Sequence, residues 1–436
     1  MSATTVTYSG LLKTVYSTEL IDLLPQDVPL LASAQKKPQT AWEGKDTMPI
    51  PIRIERSNAV MAGREGGPII EADNQGYENL LVPRRLVWGR IGISGPLMKA
   101  AKSNRARFKE VMSSEMDGLR NDTMDEIGRM ICGDGRGILA RINGVCDGAT
   151  NAGKIITDAP GGVAGAINGL RYIQRKMKIA ILDPTASTVL CTRRVSALSY
   201  TTTNDGLSMT VSQQVSATEG PDNGIIVRAP NLSITDVGDT NYNLEPMGIR
   251  GMLDDGTNVS TYFGLSRTTF DILQTPTIAS IGALSTDVLQ QLLDVSSQKG
   301  GGKITEHWMH HSTRRSYLAI LVAARRYLST SGANSHDAGF KGAALDTAPE
   351  FSGQPIYVDK DLAYGTWYML DPRQFAYYPN VEFTWIDEDG SVWDRERGVD
   401  AFEATCRWFG NFVHKAPVQC AVGSGISTNT VVVHVP

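Results

Sequence analysis

Between Thr47 and Glu55 the chain reads TMPIPIRIE, where Met48, Ile50, Ile52 and Ile54 alternate with Thr47, Pro49, Pro51 and Arg53. A period of two predicts a strand with one apolar face. Gly63, Gly66, Gly67, Pro68, Asn74 and Gly76 follow as a tip, and Val87, Ile91 and Ile93 mark a return strand. The pattern predicts a long hairpin over 47–98 without a core of its own. Such a ribbon is marginal in water by itself, so it must lean on something. From Ser103 to Ile131 the period changes. Phe108, Met112, Met116 and Leu119 step by four, four and three, and Ile127 and Ile131 continue that face after a polar gap at Thr123. This predicts a helix about 40 Å long. Its stripe is narrow and its other faces are charged, so it lies across a surface. Gly118 and Gly128 weaken it, and Gly133 in GDGRG stands near its stop.

Residues 1–46 read as an arm with one short apolar helical patch, cut by Pro25 and Pro29, which needs a surface to dock on. From 145 to about 345 the pattern is mixed. Helices are expected over GVAGAINGLRYIQRKMK, over STDVLQQLLDVSSQKGGG with Ser285 as N-cap and Gly300 as stop, and over STRRSYLAILVAARRYL with Ser312 as cap. KITEHWMHH reads as a strand, and 200–260 as strands and loops. QPIYVD, TWYMLD, VEFTWID and SVWDRE are strands, the last two joined by a tight turn at Glu388-Asp389-Gly390. The fold class is α+β, with no internal repeat.

Composition narrows the function. The chain has 436 residues, 41% hydrophobic and 20% charged, which suits several packed domains. No segment approaches the roughly 20 apolar residues of a membrane span. The first residues lack a signal-peptide pattern, so a cytoplasmic protein without membrane partners is expected. Cys132, Cys146, Cys191, Cys406 and Cys420 are scattered without a C-x-x-C pair, which argues against disulfides and zinc. A net charge of −4 argues against sequence-specific DNA binding.

Catalytic patterns are weak. In GDGRG the glycines follow a helix, whereas a phosphate loop precedes one. KGGGKIT has Ile304 where Ser or Thr would bind magnesium. Glu306, His307, His310 and His311 cluster, but on a strand His307 and His311 face away from His310. An EF-hand loop starting at Asp387 would need glycine where Val392 stands. No cofactor, metal or enzymatic activity is expected. Lys99, Lys102, Arg105, Arg107 and Lys109 crowd the start of the long helix, against its dipole. They form a solvated basic turn, a subunit contact or a seat for nucleic-acid phosphate.

The order of parts resembles the major capsid protein of tailed phages, the Hong Kong 97-type fold. ELIDLLPQDVPLLASAQKK…GKDTMPIPI is similar to that family's arm and extended loop. EIGRMICGDGRGILARINGV resembles the end of its spine helix, and LSTDVLQQLLDVSSQKGGGKITEHWMHHSTRRSYLAIL its axial domain. FSGQPIYVDKDLAYGTWYMLDPRQF and FTWIDEDGSVWDRERGVDAFEATCRWFGNFVHKAPVQCAVGSGI resemble its ending. The resemblance implies an N-terminal arm over 1–46 and an extended loop over 47–98. It implies a peripheral domain of 99–144 plus 376–415 with the spine helix at 103–131, and an axial domain of 145–375 plus 416–436.

The implied function is structural: pentamers and hexamers closing an icosahedral shell around double-stranded DNA, assembled in a bacterial cytoplasm. The implied partners are further copies of the chain, a separate scaffolding protein, a portal protein, packaged DNA bound without sequence preference, and a decoration protein in some shells. The extended loop would lie over a neighbouring subunit, with Arg64, Glu65, Glu71, Arg84 and Arg85 as ion-pair candidates and Trp88 as anchor. Arg105, Arg107 and Lys109 would face a neighbour or DNA. Asp387, Glu388, Asp389, Asp394, Arg395, Glu396 and Arg397 would meet subunits in the peripheral domain. No lysine lies between Lys45 and Lys99, so the lysine crosslink of some members is not expected. Rival readings are an encapsulin-like cargo shell, a metal enzyme using the histidines, and a β-rich tail protein.

Overall fold

A computed structural model describes residues 29–38, 42, 46–67, 69–96, 105–146, 154–158, 169–199, 208–328, 350–387, 392–396 and 398–427; the side chains of 29, 32, 105–113 and 322–328 lie outside that description. The chain divides into two compact units, residues 1–134 with 246–427, and Gly135–Glu245. The class is α+β, as expected.

The first unit holds two main sheets. A five-stranded sheet is built on the long strand Ala401–His414, flanked by Phe375–Trp385 and Arg85–Ser94 and extended by Gln35–Lys36 and Asp394–Arg395. The long helix runs Arg105–Cys132 and packs on Arg85–Ser94. Gly89 is the close-approach point. A Cβ there would stand 2.5 Å from Cys406 Sγ and 3.0 Å from Thr123 Oγ1. Thr123, the polar gap of the sequence, is itself buried at this contact and returns its hydroxyl to Leu119 O. Gly89→Ala is therefore expected to cost about 2 kcal/mol, the usual scale for overpacking, and denaturant titration of the unassembled subunit reads it.

The six-stranded sheet runs Thr277–Ile278, Ala421–Gly423, Trp367–Leu370, Glu306–Met309, Gln354–Val358, Glu350–Phe351. Helices Thr286–Gly300 and His311–Leu328 belong with it, burying Leu289, Leu292 and Tyr317 with Met309, Ile356 and Trp367. Ser285 caps the first helix by accepting from Val288 N–H, and Gly301, in a left-handed conformation, ends it one residue beyond the expected stop. The second helix begins at His311, and His310 Nδ1, not Ser312, receives a first-turn N–H.

Arg267 is fully buried beneath the segment 249–254. It donates to the carbonyls of Gly251 (2.7 Å), Met252 (3.1 Å) and Asp254, and its guanidinium lies 4.8 Å from the Tyr262 ring centre.

The hairpin differs from its expected form. Thr47–Arg53 pairs with Tyr77–Pro83, not with the strand holding Val87, Ile91 and Ile93. That later strand pairs with Ala401–His414 instead. Both segments alternate with period two, and only a partner some three hundred residues away separates them. The ribbon's base is also not coreless. Met48, Ile50, Leu80 and Val82 are buried in the first unit's main core with Leu30 and Trp42 of the arm. The arm's described part thus docks on its own chain, and Gln35–Lys36 pairs with Phe375–Trp385.

The second unit is a closed antiparallel barrel in the order Ile225–Arg228, Ile138–Ile142, Lys154–Asp158, Ser208–Val211, Val189–Ser199, Lys178–Leu182. Leu139, Ile155, Ile179, Ile181, Met209 and Ile226 belong to one of its cores, and Ile138, Leu182, Ile225 and Val227 join Ile234 in another. Its first and last segments meet where Asn243 N–H donates to Arg136 O. The boundary read at 144/145 falls between the first two barrel strands. The helix expected over GVAGAINGLRYIQRKMK is absent in its described part, where turns replace it. Leu170 and Ile173 are both buried, and their i,i+3 spacing imitates a helix, but Lys176 is left-handed with φ 68°. The segment VEFTWID likewise does not pair with SVWDRE. Each borders Ala401–His414 separately, and the described hairpin joins 394–395 to 402–403, with Gly398 at φ 83° in its turn.

Candidate inter-subunit surfaces

The ribbon changes character along its length. Odd-numbered positions of Thr47–Arg53 face outward, because Ile54 N–H donates across the ribbon to Gly76 O. Pro49 and Pro51 therefore sit on the outer edge, where their missing N–H groups cost nothing and discourage another strand. Beyond Ile54 the two arms leave the ladder. No described residue from 55 to 75 is buried, and Val60, Met61 and Ile69 stand 77%, 59% and 93% exposed. Arg64, Glu65 and Glu71 lie in this exposed part. Ser57 Oγ and Asn58 N–H, both bonded to Asp73, cross-tie it.

Arg84 is committed inside the chain. Its backbone N–H donates to Asp46 O at 2.8 Å and its guanidinium meets the Asp46 carboxylate at 2.5 Å, closing the ribbon's base. Charge reversal at Arg84 and Arg85 together would disturb hairpin closure as well as any contact between chains. Arg85 is half-buried, and burial draws its guanidinium below its ordinary pKa. Trp88 is 54% exposed and packs edge-on against Phe409 at 4.9 Å. Arg90 pairs with Glu403.

Arg105, Arg107 and Lys109 fall in the first turns of the long helix, which holds no acid in its first turn. Their side chains lie outside the described residues, as do Glu388, Asp389 and Arg397. Asp387, Asp394 and Arg395 are exposed and Glu396 is half-buried. Arg395, Glu396, Gly398, Val399 and Asp400 line a shallow hollow of about 460 Å³.

Sequence reasoning missed Asn411. Its Oδ1 accepts from Met247 N–H (3.0 Å) and Phe412 N–H (2.9 Å), and its Nδ2 donates to Pro83 O at 2.8 Å. One buried amide thus ties the ribbon's end to the central strand. A lone polar residue inside WFGNFVH was the available signal.

The clustered histidines are placed apart in role. His307 is fully buried and accepts a hydrogen bond from Trp367 Nε1 at 3.2 Å, while His310 stands 3.9 Å from the Tyr364 ring centre. No group of three or more metal-ligating side chains occurs among the described residues. His414 is also fully buried, beside Cys420 Sγ (3.3 Å) and Asp371 O (3.2 Å). Burial pushes both His307 and His414 down to about 4 from 6.5. Their folded-state values lie below the unfolded one. Their contribution is therefore complete above pH 6.5 and lost as the pH falls toward 4, by about 3 kcal/mol per imidazole. Urea midpoints between pH 7 and pH 4.5 should fall accordingly, and His307→Gln/His414→Gln should flatten that limb.

No family model and no curated protein matches the sequence. Solved structures do. A chain of the cyanophage A-1(L) capsid asymmetric unit aligns with a TM-score of 0.54 at 11% identity, covering 97% of this chain and 99% of that one. A capsid chain of the native GTA particle aligns at 0.46 and 7% identity, covering 98% and 100%. The SrpI encapsulin of Synechococcus elongatus PCC 7942 aligns at 0.41 and 8% identity, covering 99% and 98%. The first likeness carries the assignment: the chain has the Hong Kong 97-like capsid fold.

Proposed function

We propose that this chain is the major capsid protein of a tailed double-stranded DNA phage, closing as pentamers and hexamers into an icosahedral shell. The observation that carries this reading is the ribbon. Its base is rooted in the chain's own core, while its outer part exposes Val60, Met61 and Ile69 with no described core of its own. Apolar side chains held out on a two-armed ribbon are stabilised by burial against another copy, and repeated closed contacts make a shell. The fold shared with a phage capsid chain supports the same reading. In this assignment 1–46 is the arm, the ribbon from Thr47 to Pro83 is the extended loop, the five-stranded sheet with the long helix belongs to the peripheral domain, and the barrel unit Gly135–Glu245 lies whole in the axial domain, so the boundary read at 144/145 moves to 134/135.

A net charge of −4 suits a wall that encloses DNA without gripping it. Scaffolding, portal and decoration proteins are the partners such a shell uses during assembly and stabilisation, and its work is structural rather than catalytic. Negative-stain electron microscopy of the purified chain, alone and with a co-expressed scaffolding protein, tests this. Closed angular shells or free pentamers and hexamers are expected. A monodisperse 47 kDa species under every condition would overturn it. Nuclease-protected DNA in particles from infected cells separates a capsid from a cargo shell.

A further inference from the structure

The strand Arg85–Ser94 lies at an edge of the five-stranded sheet. Gly95 N–H donates to Asp400 O, so odd-numbered residues of this strand turn their backbone groups toward Ala401–His414. Even-numbered residues turn theirs to the open side. Arg84, of the same parity, spends its outward N–H on Asp46 O, which marks where the open edge begins. Leu86, Trp88, Arg90, Gly92 and Ser94 have no outward backbone partner among the described residues. They span about 27 Å of strand.

Edges of this length are normally blunted by proline, a bulge or repeated charge. The strand Thr47–Arg53 is, by Pro49 and Pro51. Arg85–Ser94 has no proline, an unbroken register with its neighbour, and Arg90 as its one charge on the exposed face, already paired. Leu86 and Trp88 beside it are 43% and 54% exposed.

Charge selects the occupant. The edge strand carries Arg85, half-buried, and Arg90, which Glu403 of the neighbouring strand already meets from one side, and has no acid of its own. Paired with itself it would bring like charges together. The outer ribbon has Arg56 and Arg64 against Glu55, Glu65, Glu71 and Asp73, net −2. Within it Ile69–Ala72 is not part of any strand, and Ile69 and Glu71 are exposed. We propose that this open edge is extended by the ribbon segment Ile69–Ala72 of a second copy, backbone to backbone, with Glu71 near the arginines and Ile69 near Leu86 and Trp88. The proposal rests on the shell reading for its geometry but fails separately from it.

Two measurements on the full chain test it. Glu71→Cys and Arg90→Cys chains are mixed and oxidised; the five native cysteines are buried and do not compete. A disulfide-linked dimer in the mixture, at least tenfold above either variant alone, is expected. Leu86→Pro/Arg90→Pro removes two outward donors and leaves the inner ladder intact, so it should lower particle yield at least tenfold. Dimers from Arg90→Cys alone would show the edge pairing with itself and overturn the proposal. So would shells that form with neither the mixed disulfide nor sensitivity to proline. If the proline variant is insoluble, the mixed disulfide decides. Mixed dimers without closed particles would instead sink the shell reading and leave the edge contact standing.

Discussion

Arg267→Met is expected to destabilise the first unit by about 4 kcal/mol, with a steep loss of soluble subunit. The carbonyls of Gly251 and Met252 end a single helical turn, Ile249–Met252, and have no intrahelical partner. Arg267 satisfies both, together with Asp254 O, from a position fully withdrawn from solvent. Methionine fills similar space but donates nothing. Each stranded carbonyl costs about 1–3 kcal/mol, and loss of the cation over Tyr262 adds about 1 kcal/mol. Arg267→Lys should recover only part, because one ammonium cannot reach three acceptors in the guanidinium's planar fork. Urea titration of the unassembled subunit by tryptophan fluorescence reads the difference. A midpoint within experimental error of the parent for Arg267→Met would remove Arg267 from this role.

Nothing near Arg267 in the sequence advertises it, and that separates what was legible from what was not. The long helix was plain because its stripe repeats over many turns within one window. Even there Thr123 read as a gap, since its role is set by Gly89 and Cys406 on strands far away in sequence. The ribbon's first strand and glycine-rich tip were legible by the same local logic. Its return strand was not, because Tyr77–Pro83 and Arg85–Ser94 carry the same alternation and adjoin one another. The barrel was hidden for a related reason: short buried strands separated by long loops leave no period that outlasts a window, and Leu170 with Ile173 offered a false one. Among the candidate surfaces, the ribbon tip stood out through its glycines and charges. The pairing of Arg84 with Asp46, and the use of Asn411 to hold Pro83, depend on chain reversals that composition does not encode. The order of parts succeeded where single motifs failed, because it sums many weak local signals along one path.

Excising the outer ribbon should abolish assembly while leaving the subunit folded. The variant joins Ile54 to Gly76 through Asn-Gly in place of residues 55–75. Ile54 N–H already donates to Gly76 O at 3.0 Å, so this pair can close a two-residue turn of the kind Asn-Gly favours. No described residue removed is buried, and Met48, Ile50, Leu80 and Val82 stay in the core. The urea midpoint should therefore stay within about 0.5 kcal/mol of the parent, the range for exposed changes. Loss of Val60, Met61 and Ile69 takes away apolar surface worth about 1.5–3 kcal/mol per side chain on full burial between chains. Repeated at every subunit contact of a shell, that deficit is decisive. Sedimentation and electron microscopy should find folded subunits or small oligomers and at least a hundredfold fewer closed particles. Particles at parental yield would show that the outer ribbon is dispensable, would overturn its pairing with the sheet edge, and would move the contacts that close the shell to surfaces outside residues 55–75.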